Sequence, residues 1–535
     1  MKRSTLLSIL LALIMIFSCV GVCAETDSGI AKDGSLPITT EDLTLTMYVT
    51  FASGGRQIMN TMAEHDVMKV MMEETGINID FIHPPLNDDG TFFTTMIASG
   101  DIPDLIYNNF ETYPGGATGA MDDGVIIDAT PIIDEYAYYF NQMLDSIEPI
   151  NRVRVKSDDG RYVLFGTAFG CEYTKGQPGS GFIARKDILD KYGITELPET
   201  FDEYEEMFEA FKSEGITPVM FSFGDSRMSS VSPVATAFDL TWNTVSVIDD
   251  KLIYSRTEPE YKQVLEILAD WYAKGYLTSD SLSATTSDYI QAFRAGTVGA
   301  VLTAQWEIIT LESVGQATVD GFEIVCLPHP RQEKGDEIMT YAGIGSGGPS
   351  TDHAYFVSAT CEHPIEAIRF IDYIYKPEVL RMTAWGVNTE EHTLWVEDEE
   401  GHRNWTDFMI NNPDFDYQMG RERYTINEMQ GQWDNEMEMK QYGIPEVQQA
   451  WDVWKRNTTS DGRTPAYMTQ TTDEAQEIAM LKTQIDTYGD EMVLKFITGQ
   501  ASLDEFDSFV ETLKSLGTDR LVELYQAAYD RYLAR

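Results

Sequence analysis

The stretch YIQAFRAGTVGAVLTAQWEI, residues 289–308, sets a helix, a break, a buried strand and a displayed aromatic in direct succession. Phe293 follows Tyr289 and Ile290 at four and three residues, so the three share one helical face, and Gly296 supplies the left-handed residue that ends the helix. Residues 298–302 are an apolar run of strand length, which places Gln305 and Trp306 just past a strand's carboxyl end. In open α/β sheets that edge borders the crevice where small molecules bind. Taken alone, the stretch allows two positions for Trp306: packed on the next helix, or displayed to the crevice.

The same grammar appears upstream. Leu43, Leu45, Met47 and Val49 alternate with polar residues as a half-buried strand does, and the strand runs into the loop FASGGRQ, which presents Phe51. A helix over 62–75 stops at Gly76, INIDFI is a second strand, 91–99 is helical, and 105–107 is a third strand after the turn GDIP. Strand, helix, strand, helix, strand is the pattern of a parallel sheet. Asn108 emerges at its carboxyl edge, either as a turn asparagine bonding its own backbone or as a cleft residue. Residues 125–145 read as helical and RYVLF, 161–165, as a strand leading to Gly166.

A second run of the same kind opens at Gly181. GFIARKDILDKYGI passes from strand to helix, and the next helix carries Phe201, Tyr204, Phe208 and Phe211 on one face, a stripe that reads as core. PVMFSFG is a further strand, Trp242 lies in the loop after it, and VIDDKLIYS is a hairpin built on Asp249 and Asp250. Tyr341 falls in a glycine-rich segment, Trp385 ends a helix pair, and long amphipathic patterns over 472–496 and 503–532 make the C-terminal part helical.

Composition narrows the class. The 535 residues carry a formal charge of −49 and 43% hydrophobic content, enough for two α/β lobes with separate cores. Lys2 and Arg3, the apolar run 6–17, and Val22 and Ala24 before a cut form an export signal. Losing it takes the charge from −49 to −51, since both bases leave and no acid does. Such a surface repels nucleic acid and anionic lipid. Cys19 and Cys23 leave lipid attachment open, and Cys171, Cys326 and Cys361 show no metal-ligand spacing. Residues 25–41 are polar and aperiodic, as in a flexible tether.

Catalytic motifs are missing. Gly343, Gly345 and Gly348 match a dinucleotide fingerprint, but Pro349 and a strand follow where a helix N-terminus is required. G-x-S-x-G, H-E-x-x-H and a P-loop are absent, and NTTSDG at 457–462 lacks the acid six residues past its glycine that a calcium loop needs. Paired carboxylates that would suit a glycosidase arise by chance among 87 acids.

Several segments together resemble the extracytoplasmic solute-binding proteins of carbohydrate ABC transporters, extracellular solute-binding protein family 1 and its lipoprotein LplA-like members. MIASGDIPDLI, FIARKDILDKYGITELPETFDEYEEMFEAFK, AFRAGTVGAVLTAQW and HPIEAIRFIDYIYKPE are similar to that family's stretches, and the tail from Glu477 to Leu533 is the most specific piece. Asn388 and Thr389 depart from it, standing where the family usually has a glutamate and then a glycine.

The resemblance implies an α/β, two-lobe periplasmic-binding-protein-like (type II) fold with a helical C-terminal part. It implies a signal peptide at 1–24, a tether at 25–41, an N-terminal lobe of 42–166 with 328–385, and a C-terminal lobe of 167–327 with 386–535. The chain would cross between lobes near Gly166 and Pro328. Phe51, Asn108, Trp242, Gln305, Trp306, Tyr341 and Trp385 all fall in loops or at strand ends where a cleft would lie. A sugar offers an apolar C–H face to a ring and hydroxyls to amides, so these residue types suit an oligosaccharide. The expectation is a monomeric, non-catalytic receptor without cofactor or metal, working outside the cytoplasm and handing sugar to ABC transporter permease subunits. A secreted glycoside hydrolase and a binding protein for peptides or other polar solutes are the alternatives, the latter needing a charged anchor such as Arg185.

Overall fold

The computed structural model describes residues 29–535 apart from 52, 87, 89, 111, 222, 224–231, 243–244, 249, 340–347, 352, 427–428 and 460–467. Its strands are β1 (Leu43–Tyr48), β2 (Ile77–Ile82), β3 (Leu105–Asn108), β4 (Ser180–Arg185), β5 (Thr217–Met220), β6 (Val245–Ile248), β7 (Lys251–Tyr254), β8 (Val298–Ala304), β9 (Ile324–Cys326), β10 (Ile338–Met339) and β11 (Ala354–Val357), with two short pairings nearer the C-terminus.

The first sheet has the order β11-β3-β1-β2. β1 runs parallel to β2, with Leu43 opposite Ile77, and parallel to β3, with Met47 opposite Leu105. β11 closes the edge antiparallel, Val357 facing Leu105. Helices Asp66–Thr75 and Thr91–Ser99 make the crossovers. The alternation in β1 sends Leu45 and Met47 into a core with Val67, Met68 and Met71, which fixes the register: a slip of one residue would turn both to the other face.

The second sheet has the order β5-β8-β4-β9, with β8 parallel to β5 and antiparallel to β4. Every residue of β8 is buried, as its unbroken apolar run requires. Gly299 in its middle lies against helix Phe201–Ser213, and a Cβ there would stand 2.2 Å from the ring of Phe211. Tyr204, Phe208 and Phe211 of that helix are core residues, and Thr200 with Glu203 forms its capping box. The same core takes Ile485 and Val493 from helix Thr472–Ile497, Phe509 from Phe506–Ser515 and Leu524 from Thr518–Leu533, so the helical C-terminal part packs on the second sheet.

Four expectations are corrected. Residues 161–165 form no strand: β11 takes that edge of the sheet, and Tyr162 and Phe165 enter the first core instead. The described part of the tether is docked, because Ile38 is buried, its N–H donates to the Thr75 carbonyl at 2.8 Å, and Ile30 and Leu36 cover the same core. Aperiodic spacing hid these three apolar residues. Residues 328–339 stay with the second lobe: the Tyr204 hydroxyl donates to the Pro328 carbonyl, the Arg331 N–H to that of Glu199, and β10 pairs with Thr458–Thr459. The described residues between 386 and 430 include a part that packs on the first lobe rather than the second, since Ile426 and Met429 lie in its core and helix Tyr417–Tyr424 covers Ser53–Arg56.

Three passes of chain run side by side as a result. Ser350 N–H donates to Ala168 O at 2.7 Å, Phe169 N–H to Gly431 O at 3.1 Å, and Trp433 N–H to Phe169 O at 2.8 Å. The crossing expected near Gly166 coincides with the first pass at 166–170, whereas the others lie at 348–350 and 431–433 rather than near Pro328. Cys171, Cys326 and Cys361 are free thiols.

Candidate functional site

The carboxyl ends of β1, β2 and β3 open into a cavity of about 350 Å³ whose walls include Tyr48, Phe51, Arg56, Pro84, Asp88 and Asn108. That volume falls in the range of small-molecule sites. Three of these wall residues follow from the sheet: Tyr48 ends β1, Pro84 follows β2 and Asn108 ends β3.

Phe51 and Asn108, both expected at a cleft, line the same cavity. Phe51 is buried and belongs to the first core as well as to the cavity wall, its ring 5.1 Å from that of His83, and Gly55 makes room for it: a Cβ there would lie 2.5 Å from the ring. Asn108 combines both readings of its sequence. Its Oδ1 accepts the Asn109 N–H at 2.9 Å, while its side-chain NH2 meets no protein acceptor among the described residues and is free to donate into the cavity. Tyr48 packs against Phe93 at 5.5 Å, and burial pushes its hydroxyl up to about 12, so it remains a protonated donor at neutral pH.

Arg56 is the cation of this wall. Its Nε donates to Phe51 O at 3.0 Å and its Nη2 to Pro84 O at 2.6 Å, tying the loop after β1 to the loop after β2. His83 lies behind Phe51 and is held neutral. Its Nδ1 is 2.9 Å from Val49 O, its Nε2 accepts the Met62 N–H at 3.2 Å, and burial, with a smaller push from Arg56, drives its pKa down.

In the second lobe, Trp306 sits in a short helical turn directly after β8 and keeps 37% of its surface exposed. Of its two sequence-level positions, it takes the displayed one. Gln305 beside it is buried, and its Oε1 accepts the indole N–H of Trp451. Trp242 and Trp385 are core residues, contrary to expectation. Trp242 stacks on Tyr261 at 5.3 Å inside the second core. Trp385 has no exposed surface, packs 4.6 Å from Trp405 and donates its N–H to Asp434 at 3.1 Å. Their loop and helix-end positions say where the backbone lies, not which neighbours cover the ring. Tyr341 lies outside the described residues. Arg185 is not a ligand anchor: it is buried, paired with Asp187 and laid over Phe322.

A family model for bacterial extracellular solute-binding proteins matches residues 67–387. The chain belongs to that family. The match takes in β2 to β11 of this solute-binding protein, from helix Asp66–Thr75 to the end of the helix pair at Trp385, and leaves β1 before it. No curated protein matches in sequence. Among solved structures it is similar to the alginate-binding protein AlgQ2 without calcium ion, at 18% identity and TM-score 0.71, covering 94% of this chain and 100% of that one. It is similar to the Streptococcus pneumoniae ABC-transporter substrate binding protein FusA in complex with kestose, at 18% identity and TM-score 0.72 over 92% and 99% of the two chains. It is also similar to the N-glycan transport solute binding protein NgtS from Streptococcus pneumoniae, at 17% identity and TM-score 0.58 over 92% and 99%. These likenesses establish the fold of the solute-binding protein: two α/β lobes, periplasmic-binding-protein-like, with a helical C-terminal part.

Members of this family are binding proteins rather than enzymes. Among the described residues no group of three or more His, Cys, Asp or Glu side chains is placed to hold a metal ion, and no helix is long and apolar enough to cross a membrane. The sequence reading missed Arg56 and Tyr48. A signal for Arg56 existed: in a chain with 87 acids, residues 43–63 contain a single charged side chain, and it is Arg56.

Proposed function

We propose that this protein captures an oligosaccharide or related sugar between its lobes outside the cytoplasm and delivers it, as a monomer, to an ABC transporter permease. The observation that carries the reading is the cavity at the carboxyl edge of β1–β3, where Tyr48 and Phe51 stand beside the side-chain NH2 of Asn108, which meets no protein acceptor among the described residues. Rings give a sugar its apolar surface, and the amide meets a hydroxyl that would cost about 1–3 kcal/mol if buried without a partner. The similar proteins are an alginate-binding protein, a substrate binding protein in complex with kestose and an N-glycan transport solute binding protein, which supports the same ligand class here. Trp306, with Gln305 fixing the turn behind it, is the facing aromatic of the second lobe in this reading. The three passes at 166–170, 348–350 and 431–433 are its hinge.

Calorimetric titration with a panel of oligosaccharides tests it. At least one should bind unaltered, and Asn108→Ala should weaken that ligand by about 5- to 100-fold at an unchanged melting temperature. Cleavage of the glycan would favour a hydrolase. Binding confined to peptides would remove the sugar reading.

A further inference from the structure

Arg331, fully buried, is held by the backbone carbonyls of His329, Asp336 and Arg456, whereas four other buried or half-buried guanidinium groups meet carboxylates: Arg185 meets Asp187, Arg256 meets Asp490, Arg369 meets Asp372 and Arg531 meets Glu474. Arg56 does not. Both of its protein hydrogen bonds end on backbone carbonyls, and no carboxylate among the described residues lies within ion-pair distance. Two acids near this wall already accept backbone N–H groups, Asp88 among them although it lines the same cavity. Asp88 accepts the N–H groups of Gly90 at 3.1 Å and Phe92 at 3.2 Å, at the start of helix Thr91–Ser99, and Glu422 accepts that of Gly54 at 2.8 Å. His83 contributes no second positive charge, because its ring is held neutral between Val49 and Met62.

We infer that the sugar taken by this cavity carries an anionic group, a carboxylate or a sulfate, which pairs with the free edge of Arg56. The inference rests on the sugar-binding reading and goes one step further, to the ligand's charge. The two backbone bonds fix Nε and one Nη2 hydrogen, leaving Nη1 and the other Nη2 hydrogen as a fork on the cavity wall. Such a fork matches two oxygens of one anion. A neutral sugar enclosed here would strip water from the guanidinium without replacing it by a counter-charge, and an uncompensated charge is costly in a water-poor site. The chain's charge of −49 repels acidic ligands at a distance, so a local cation is what an acidic ligand needs to settle.

The test uses matched pairs titrated into the full chain by calorimetry: an oligouronate and its carboxyl-reduced counterpart, and a sulfated oligosaccharide and its desulfated counterpart. Wild-type protein should bind the acidic member of one pair at least 10-fold more tightly, and which pair responds separates carboxylate from sulfate. Arg56→Gln should lose about 10- to 100-fold for the acidic member and little for the neutral one. Arg56→Lys should keep part of the preference. Loss of both members equally in Arg56→Gln, at an unchanged melting temperature, would make Arg56 a loop tether only and overturn the inference. Tight binding of neutral glycans with no gain from the acid would overturn it while leaving the sugar receptor intact. Binding of no glycan at all would remove both.

Discussion

Replacing Trp306 by alanine should weaken the best glycan ligand by about 5- to 30-fold without altering the fold. The indole leaves 37% of its surface exposed at the end of β8. A tryptophan can bury up to about 250 Å², so about 90 Å² remains for a ligand to cover. At about 25 cal/mol per Å² this is worth about 2 kcal/mol if covered completely, and about half that if a sugar stacks on one face only. One to two kcal/mol corresponds to the stated range in Kd. The surface is exposed before ligand arrives, so truncation costs the folded chain little. Calorimetry on wild type and Trp306→Ala, with melting curves of both, measures the two quantities separately. An affinity within twofold of wild type would place Trp306 outside the ligand's footprint and refute the assignment.

Three further outcomes follow from burial and packing. Gly299→Ala should destabilise the protein by about 1–3 kcal/mol in denaturant unfolding, because the new Cβ meets the Phe211 ring at 2.2 Å, and the loss should shrink when Phe211 is also cut back to leucine. Trp385→Ala should lower stability by about 3–5 kcal/mol, the penalty of a core cavity, as read from the same unfolding curves. Acid should weaken the fold through His329 and His65, whose burial holds their pKa near 4 against an ordinary 6.5. The folded chain then binds fewer protons than the unfolded one. The stability each contributes is complete above pH 6.5 and is lost toward pH 4, by up to about 1.4 kcal/mol per pH unit per histidine. Unfolding midpoints from pH 7.5 to 4.5 should fall less steeply for His329→Gln than for wild type, and parallel curves would contradict the linkage.

What the sequence revealed was periodic. The alternation of β1, the glycines at 76, 100 and 296 that end helices, and the aromatic stripe of Phe201–Ser213 each fix a local geometry that survives packing unchanged. Phe51 and Asn108 were legible because strand direction decides which end of a parallel sheet a following residue occupies. The fate of Trp242 and Trp385 was not, since it depends on Tyr261, Trp405 and Asp434, partners 19, 20 and 49 residues away along the chain. The third pass at 431–433 was hidden for a similar reason: Phe169 recruits it through two backbone hydrogen bonds, which leave no trace in side-chain type. Docking of the segment before β1 rests on Ile30, Leu36 and Ile38, too irregularly spaced in a polar stretch for any periodicity to register.

The account stands most directly on where a ligand sits. Diffraction from crystals of the protein with its tightest-binding oligosaccharide should show an intact glycan within hydrogen-bond distance of Asn108 and Arg56, and in contact with the Trp306 ring. A glycan seated elsewhere on the chain, or present only as cleaved product, would contradict it.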